Sequence, residues 1–210
     1  MASADGQRYL ALGDSYTIGE GVPEEGRWPV QLARMLRKGG IPLADPRIIA
    51  TTGWTTDELA AALDAAEPLG AWDFVSLLVG VNNQYRGRPA EEYARGFGAL
   101  LLRAIAYAGR RPARVVVLSI PDWGVTPFAA AQGRDARRIA DELDAFNAAA
   151  RALCKLHGVA FVDVTGVSRA LGAAPSMLAD DGLHPSAAMY AEWAALALPV
   201  ARRLLAGARA

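Results

Sequence analysis

The sequence predicts an α/β protein built on a parallel sheet with helices on both faces. Short apolar runs alternate with longer amphipathic stretches along the chain, an order typical of β-α-β units. The apolar runs are rich in Val, Ile, Leu and Phe without strict alternation, which indicates strands covered on both faces. The chain has 210 residues, of which 52% are hydrophobic, enough for a sizeable core. We expect one domain over residues 1–210.

Five apolar runs are predicted to be the strands. They cover residues 9–12, 47–51, 73–79, 114–120 and 159–164. Right-handed crossovers leave few topologies for five parallel strands, and we expect the flavodoxin-like order 2-1-3-4-5. In such sheets, ligands bind beyond the carboxyl ends of the strands. Functional residues are therefore expected in the loops that follow the strands.

Five longer stretches with apolar residues at helical spacing are predicted to be the main helices. They cover residues 29–37, 56–66, 90–107, 135–156 and 186–205. The first stops at a pair of glycines, and the second begins Thr-Thr-Asp-Glu, which is a favourable first turn. Pro199 lies inside the last stretch and predicts a bend or a restart there.

Charge and cysteine content argue against several classes of protein. The 22 Lys and Arg residues balance 22 Asp and Glu residues, which argues against nucleic-acid binding and against electrostatic attachment to a membrane. The single cysteine, Cys154, can form neither an intramolecular disulfide nor a cysteine-based zinc site, and we expect a packed thiol. The sequence has no secretory signal and no apolar stretch of about 18 residues. We therefore expect a cytoplasmic protein without a stable membrane anchor.

Small, polar and turn-forming residues follow each predicted strand. The clusters are Gly13-Asp14-Ser15, Thr52-Gly53-Trp54, Gly80-Val81-Asn82-Asn83-Gln84, Pro121-Asp122-Trp123-Gly124 and, after a short intervening segment, Asp180-Asp181-Gly182-Leu183-His184-Pro185. Connections between strands and helices need Gly, Asn and Asp in any case. The gathering of all five clusters at one sheet edge nevertheless favours a chemical role.

His184 is the better candidate for a general base of the two histidines in the sequence. His157 falls at the end of a predicted helix, just before Gly158, where an imidazole interacts well with the helix dipole. His184 instead lies in a loop, next to Pro185 and three residues after Asp181. A histidine that a carboxylate orients in a rigid loop is suited to general-base catalysis.

Ser15 is the candidate nucleophile. A serine hydroxyl is a poor nucleophile at neutral pH unless a base lies within hydrogen-bond reach and a carboxylate orients that base. Ser15 follows the first strand and His184 follows the fifth, so we expect them to meet across the sheet edge. Asp181 would hold the imidazole tautomer, and Asp180 is an alternative whose spacing fits less well.

Three groups are candidates to stabilise the oxyanion that forms during acyl transfer. They are a backbone N–H beside Ser15, the N–H of Gly53 and the side-chain amide of Asn82. Glycine lets the backbone approach a ligand closely, and asparagine offers a donor that needs no particular protonation state.

These residues, taken together, resemble the SGNH hydrolases, also called GDSL-type esterases and lipases. Four blocks occur in that family's order and span residues 13–184: Gly-Asp-Ser, a lone Gly, Gly-x-Asn and Asp-x-x-His. The resemblance implies a three-layer α/β/α sandwich and an esterase that acts on a small-molecule ester without a cofactor or metal. It implies that Ser15 is the nucleophile, that His184 is its base and that Asp181 orients the base. It also implies an oxyanion hole formed by the N–H of Ser15, the N–H of Gly53 and the side chain of Asn82.

Two positions depart from the family pattern. Tyr16 stands where the first block usually has leucine, a position that we expect to serve packing. Asn83 stands where the third block usually has aspartate, and an amide keeps acceptor contacts but loses the charge. We therefore expect an altered loop geometry or altered local pKa values there. Asp14 matches the family, and we interpret it as a carboxylate that caps backbone N–H groups rather than as a chemical group.

Aromatic residues dominate the loops that would form the walls of the site. The candidates for substrate binding are Tyr16, Trp54, Asn83, Tyr85, Trp123 and Phe128. Aromatic rings here either bind an apolar acyl or aryl group or pack a helix against the sheet. Residues 121–133 form a long loop that is either a lid or wall of the acyl site or an ordinary ordered loop. Residues 19–26 carry three glutamates and predict a solvated acidic face.

Three functions are compatible with these residues. The first is hydrolysis of short or medium acyl, aryl or lysophospholipid esters, and the second is O-deacetylation of carbohydrates with the same residues. Aromatic rather than polar loops favour the first. The third is a non-enzymatic flavodoxin-like binding module, which would need a phosphate-binding loop after the first strand. That loop carries Asp14, an anion, and no lysine follows it, which disfavours the binding module.

Overall fold

The computed structural model describes residues 6–206, and five parallel strands form one sheet within them. The strands are β1 (Tyr9–Gly13), β2 (Arg47–Ala50), β3 (Phe74–Leu78), β4 (Val115–Leu118) and β5 (Ala160–Val162). Their order in the sheet is β2-β1-β3-β4-β5, so the predicted order is confirmed. Each strand coincides with one predicted run to within a few residues.

The apolar composition of the strands matches their places in the sheet. β1, β3 and β4 form its centre, and every residue in them is buried. In the register, Leu12 lies beside Ile49 on one side and Leu77 on the other. Because successive side chains point to opposite faces, a strand in which every residue is buried requires cover on both faces. β2 and β5 are the edge strands and are only partly buried.

The helices include all five that the sequence predicts, together with several short ones. They are α1 (Ser15–Ile18), α2 (Trp28–Lys38), α3 (Thr56–Ala66), α4 (Val81–Tyr85), α5 (Ala90–Tyr107), α6 (Pro127–Ala131), α7 (Ala136–His157), α8 (Thr165–Leu171) and α9 (Ala187–Ala206). Single 3₁₀ turns occupy Glu24–Gly26, Pro112–Arg114, Trp123–Val125 and Pro175–Met177. Within residues 6–206, no helix combines the length and the apolar character that a membrane span requires.

The long helices form a layer on each face of the sheet. α2 packs against α9, and α5 packs against α3 and α7. Right-handed crossovers place the first pair on one face and the other three helices on the opposite face. Gln31 ties the first layer together, because its Nε2 donates to the carbonyls of Gly26 and Ala187 at 2.7 and 2.9 Å. The chain is therefore an α/β protein with helices on both sides of a parallel sheet.

Two local predictions about helix ends have different outcomes. α7 ends at His157, and Gly158 caps it with a left-handed φ of 68°, as the sequence predicts. Of the bend or restart predicted at Pro199, the restart is wrong, because α9 runs through that proline without interruption. Ala197 and Ala201, on either side of Pro199, are both fully buried. Packing of the flanking turns stabilises the helix across the one hydrogen bond that proline cannot donate.

Candidate active site

A cavity of about 240 Å³ opens at the carboxyl edge of the sheet. Its lining residues are Ser15, Tyr16, Thr52, Gly53, Val81, Asn82, Tyr85, Trp123, Phe128, Leu183 and His184. They come from the segments that follow all five strands. The structure thus brings Ser15, Gly53, Asn82 and His184 to one cavity, as the positions of these residues after the strands predict.

Ser15 is the first residue of α1 and follows β1 almost without a connecting loop. A side chain on Gly13 would collide with Oγ1 of Thr17 and with the carbonyl oxygen of Leu78, so only glycine allows this tight turn. Asp14 is the N-cap, and its Oδ1 accepts a hydrogen bond from the N–H of Tyr16 at 3.1 Å. The predicted capping role of Asp14 is confirmed, and the cap fixes the turn that presents Ser15 to the cavity.

Asp14 is also the most strongly perturbed carboxyl group near the cavity. Its side chain is fully buried, and burial raises the pKa of Asp14 to about 7 against the opposing effect of backbone N–H groups of Tyr16 and Gly80. A carboxylate in this position loses hydration that two or three hydrogen bonds do not restore. Asp14 therefore passes from neutral to charged in the folded protein near neutral pH.

As the pH rises, the wild type should lose stability relative to an Asp14→Asn variant. The Asp14 carboxyl has a pKa near 3.8 in the unfolded chain and about 7 in the folded protein. Its contribution to the free energy of unfolding is therefore fully present below pH 3.8 and is lost as the pH rises to about 7. An amide does not ionise. Between pH 5 and pH 7 the free energy of unfolding of the wild type should fall by about 2 kcal/mol relative to the variant. Urea unfolding at both pH values measures this, and a constant difference would contradict a raised pKa.

Asp181 and His184 form a closed local unit. Nδ1 of His184 lies 2.5 Å from Oδ2 of Asp181, while Oδ1 of Asp181 accepts the N–H groups of Leu183 and His184, each at 2.9 Å. Partial burial raises the pKa of Asp181, but these hydrogen bonds outweigh it and hold the pKa below its usual range. Asp181 is thus ionised at neutral pH. With Nδ1 engaged, Nε2 is the nitrogen left to accept a proton.

The segment that carries this unit is itself anchored on both sides. The N–H of Ala179 donates to the carbonyl of His184 at 2.8 Å, and Leu178 and Pro185 form an isolated antiparallel bridge. The ring of Tyr16 packs edge-on against the imidazole with centroids 5.9 Å apart. Tyr16 also contacts Trp193 at the same centroid distance and is almost fully buried. Tyr16 therefore serves packing, as expected, and also lines the cavity.

The loop after β2 and the helix α4 are joined by side-chain hydrogen bonds. Nδ2 of Asn82 donates to the carbonyl of Trp54 at 2.9 Å. The neighbouring Asn83 is fully buried, accepts the N–H of Thr56 at 3.0 Å and donates to Oγ1 of Thr56 at 2.9 Å. An amide can make both bonds, whereas a carboxylate could only accept. Asn83 thus keeps an acceptor contact in the loop, with the N–H of Thr56, without carrying a charge.

Two of the predicted substrate-binding residues do not line the cavity. Asn83 is turned away into its bonds with Thr56, and Trp54 packs against the hydrophobic core while offering its carbonyl to Asn82. The hydrogen bonds of Asn83 with Thr56 and the packing of Trp54 against the core direct these two side chains elsewhere.

Aromatic side chains form one wall of the cavity. Tyr85 and Trp123 have ring centroids 5.4 Å apart, and Phe128 lies 6.5 Å from Trp123. Nε1 of Trp123 donates to Oε1 of Gln84 at 2.9 Å, which fixes the indole. The guanidinium of Arg134 packs against both rings, 5.2 Å from the centroid of Tyr85 and 5.1 Å from that of Trp123. The segment 121–133, predicted as a loop, is a 3₁₀ turn followed by α6, and it contributes part of this wall.

Sequence reasoning missed three lining residues, Thr52, Val81 and Leu183. Each adjoins a residue singled out by its motif, so adjacency was the signal that could have found them. Thr52 also donates a hydrogen bond to Glu20, which links the exposed acidic loop to the rim of the cavity. Among residues 6–206, no cluster of three or more His, Cys, Asp or Glu side chains is arranged to hold a metal ion.

One family model and several solved structures are similar to this chain. The model of the GDSL-like Lipase/Acylhydrolase family matches residues 11–192. The crystal structure of TesA has a TM-score of 0.75 at 20% identity, over 95% of this chain and 100% of that chain. A lipase/acylhydrolase from Enterococcus faecalis has a TM-score of 0.70 at 20% identity, over 95% of this chain and 97% of its own.

A third similar structure is a variant of Axe2, an acetyl xylan esterase from Geobacillus stearothermophilus. Its TM-score is 0.71 at 18% identity, over 96% of this chain and 97% of its own. At such identities the likeness to these structures concerns the fold. A search of curated protein sequences found no match.

Proposed function

Because this chain belongs to the GDSL-like lipase/acylhydrolase family, we propose that it hydrolyses carboxylic esters through an acyl-enzyme on Ser15. The observation that carries the proposal is that Ser15 lines the same cavity as His184, whose other ring nitrogen is already bonded to Asp181. This is the combination that an otherwise unreactive serine hydroxyl needs. The family assignment makes a carboxylic ester hydrolase the enzyme class and removes the support for a non-enzymatic binding module.

The proposed reaction has two steps. Nε2 of His184 takes the proton of Ser15 Oγ as that oxygen attacks the ester carbonyl carbon, and the negative charge moves to the carbonyl oxygen. Collapse of this intermediate expels the alcohol, which receives the proton from His184. A water molecule, deprotonated by His184, then attacks the acyl carbon, and the bond to Ser15 Oγ breaks as His184 returns the proton to that oxygen and the acid is released. Asp181 stabilises the imidazolium throughout, and its lowered pKa supports this assignment because it stays ionised.

The oxyanion of the intermediate would be held by three donors. They are the N–H of Ser15 at the start of α1, the N–H of Gly53 and one N–H of the Asn82 side chain. The carbonyl of Trp54 accepts from the same Asn82 amide nitrogen and so fixes its plane, which leaves its second hydrogen for the substrate. A donor fixed before the substrate binds needs no reorganisation during the reaction.

Asn82→Ala should lower kcat for p-nitrophenyl esters by about 10²–10³-fold, because it removes one preorganised donor. KM should change little, since the donor acts on charge that develops after binding. Steady-state kinetics with p-nitrophenyl acetate measure both constants. Asn147→Ala removes a buried asparagine that does not line the cavity and serves as a control for general destabilisation. Little or no loss in the Asn82 variant would exclude this residue from the hole.

The cavity walls favour an apolar group on the substrate. Val81, Tyr85, Trp123, Phe128 and Leu183 all present hydrophobic surface to it. A space of about 240 Å³ with such walls suits a short or medium acyl chain or an aryl group. Lysophospholipid esters belong to the same class. These apolar walls support esters with apolar acyl or aryl groups as substrates over esters of polar molecules.

Removal of acetyl groups from carbohydrates is a second candidate function. The shared fold with an acetyl xylan esterase supports it, and the proposed chemistry at Ser15 would be the same. A panel of p-nitrophenyl esters from acetate to decanoate, run beside acetylated xylan and acetylated monosaccharides, separates the two. Turnover that depends on acyl length and exceeds that of the sugars supports the first function. Faster release of acetate from the carbohydrates would replace it with the second.

A further inference from the structure

We infer that Arg86 is a positioning residue that holds the Gly53 peptide in place for the oxyanion hole. This inference rests on the proposed function, since it concerns the geometry of a donor in that reaction. Arg86 does not line the cavity, and it acts from outside through the backbone of the loop after β2.

The contacts of Arg86 connect it to both donors that lie away from the nucleophile. Its Nη2 donates to the carbonyl oxygen of Gly53 at 2.7 Å. Its backbone N–H donates to the carbonyl of Asn82 at 3.1 Å, because Arg86 is the residue that caps the end of α4. The same guanidinium lies 3.3 Å from Glu58 in the first turn of α3, so it is held from a second direction.

The Gly53 backbone needs an external support. Gly53 adopts a φ of +88°, and no heavy atom outside its chain neighbours lies within 4 Å of where a Cβ would stand. A glycine is free to rotate in both directions, and neither a side chain nor a packed surface restrains it here. The turn bond from the N–H of Trp54 to the carbonyl of Thr51 is long, at 3.3 Å. The bond from Arg86 therefore restrains the Gly53–Trp54 peptide, which directly follows the donor N–H of Gly53 and directly precedes the Trp54 carbonyl that holds the Asn82 amide. With this peptide fixed, the backbone on either side of it has less freedom to turn the two donors away from the substrate.

Arginine suits this task better than any other residue. Its guanidinium remains charged at every accessible pH and has several donors in a fixed plane, so it can bond the carbonyl and the carboxylate together. Hydrogen bonds from charged donors are about twice as strong as neutral ones. The effect of Arg86 on turnover should therefore scale the rate without changing the shape of its pH profile.

Arg86→Met is the test, with Arg88→Met as the matched control. Both arginines leave the same segment after α4 and pair with acids of the first turn of α3, but Arg88 bonds Asp57 and Glu92 and not the carbonyl of Gly53. Arg86→Met should lower kcat for p-nitrophenyl acetate about tenfold, less than loss of a donor itself. KM should stay within about twofold, because bound substrate does not yet carry the charge. Arg86→Lys should recover part of the loss, and Arg88→Met should behave as wild type.

A trifluoromethyl ketone distinguishes positioning from a general structural effect. Ser15 Oγ adds to its carbonyl carbon, its proton passes to His184, and the carbonyl oxygen becomes an oxyanion. The inhibition constant of this ketone should rise about tenfold in Arg86→Met, in step with kcat. That of the matching methyl ketone, which binds without such a charge, should not move.

Each outcome decides the matter. Equal kinetics of the Arg86→Met and Arg88→Met variants, or loss of kcat without weaker binding of the trifluoromethyl ketone, would overturn the positioning role. The proposed function would survive that result if Ser15→Ala still abolishes turnover. Failure of the wild-type protein to hydrolyse any ester would overturn both.

Discussion

Ser15→Ala should abolish hydrolysis of p-nitrophenyl esters, with kcat/KM falling on the order of 10⁶-fold as in other serine hydrolases that lose the nucleophile. In the proposed mechanism the Ser15 hydroxyl oxygen forms the acyl-enzyme, and alanine has no atom that could do so. The fold should survive, because the contacts of this residue with Gly19 and Glu20 come from its backbone carbonyl. Circular dichroism and the melting temperature, measured beside the ester kinetics, would establish that the variant is folded.

A fluorophosphonate probe gives an independent readout of the same prediction. It should label the wild type at one serine and leave the Ser15→Ala variant unlabelled, because only an activated hydroxyl attacks the phosphorus. Ser176→Ala is the matched control, since Ser176 is exposed and lies outside the cavity lining. That control should keep both labelling and turnover. Turnover of Ser15→Ala at the wild-type rate would rule out Ser15 as the nucleophile.

His184→Ala should lower kcat by several orders of magnitude, about 10⁴–10⁶-fold. The variant loses the group that, in the proposed mechanism, accepts the serine proton and later passes it to the leaving alcohol. It also leaves Asp181 without its partner at 2.5 Å, so the acid can no longer stabilise a positive charge beside the substrate. Single-turnover and steady-state measurements with p-nitrophenyl acetate would show whether acylation or deacylation suffers more.

His157→Ala provides the comparison for this second prediction. His157 ends α7 and directly precedes β5, whereas the loop that holds His184 comes after β5 in the chain. Its replacement should leave kcat near the wild-type value and affect stability alone, through the helix terminus. An equal loss of kcat in both variants would mean that the base has been assigned to the wrong histidine.

The topology and the main site residues were predictable because they depend on local signals. Apolar runs mark the strands, and right-handed crossovers leave few possible orders for them, of which the expected one is observed. The strand order then places Ser15 and His184 at one edge without any knowledge of side-chain positions. Asp181 and His184 are three residues apart, so their pairing is a property of one turn. The resemblance to a known family rests on the same short blocks.

Features that depend on packing between distant segments were not predictable. The helices α1 and α4 have only four and five residues, too few for a periodic pattern to reveal them. Asn83 is hydrogen-bonded to Thr56, which lies 27 positions earlier in the chain, and this contact directs its side chain away from the cavity. Likewise, the run of α9 through Pro199 is decided by the buried alanines around it rather than by the proline.

The bond from Gln31 to the carbonyl of Ala187 has a consequence for how the molecule becomes active. It joins α2 to the start of α9, just beyond the loop that carries His184, although these segments are 156 positions apart in the chain. The Asp181–His184 pair lies within one turn, whereas Ser15 and His184 line one cavity only when segments from both ends of the chain are packed together. Recovery of ester hydrolysis during refolding would therefore measure when the two ends of the chain pack together. Circular dichroism of secondary structure does not measure that step.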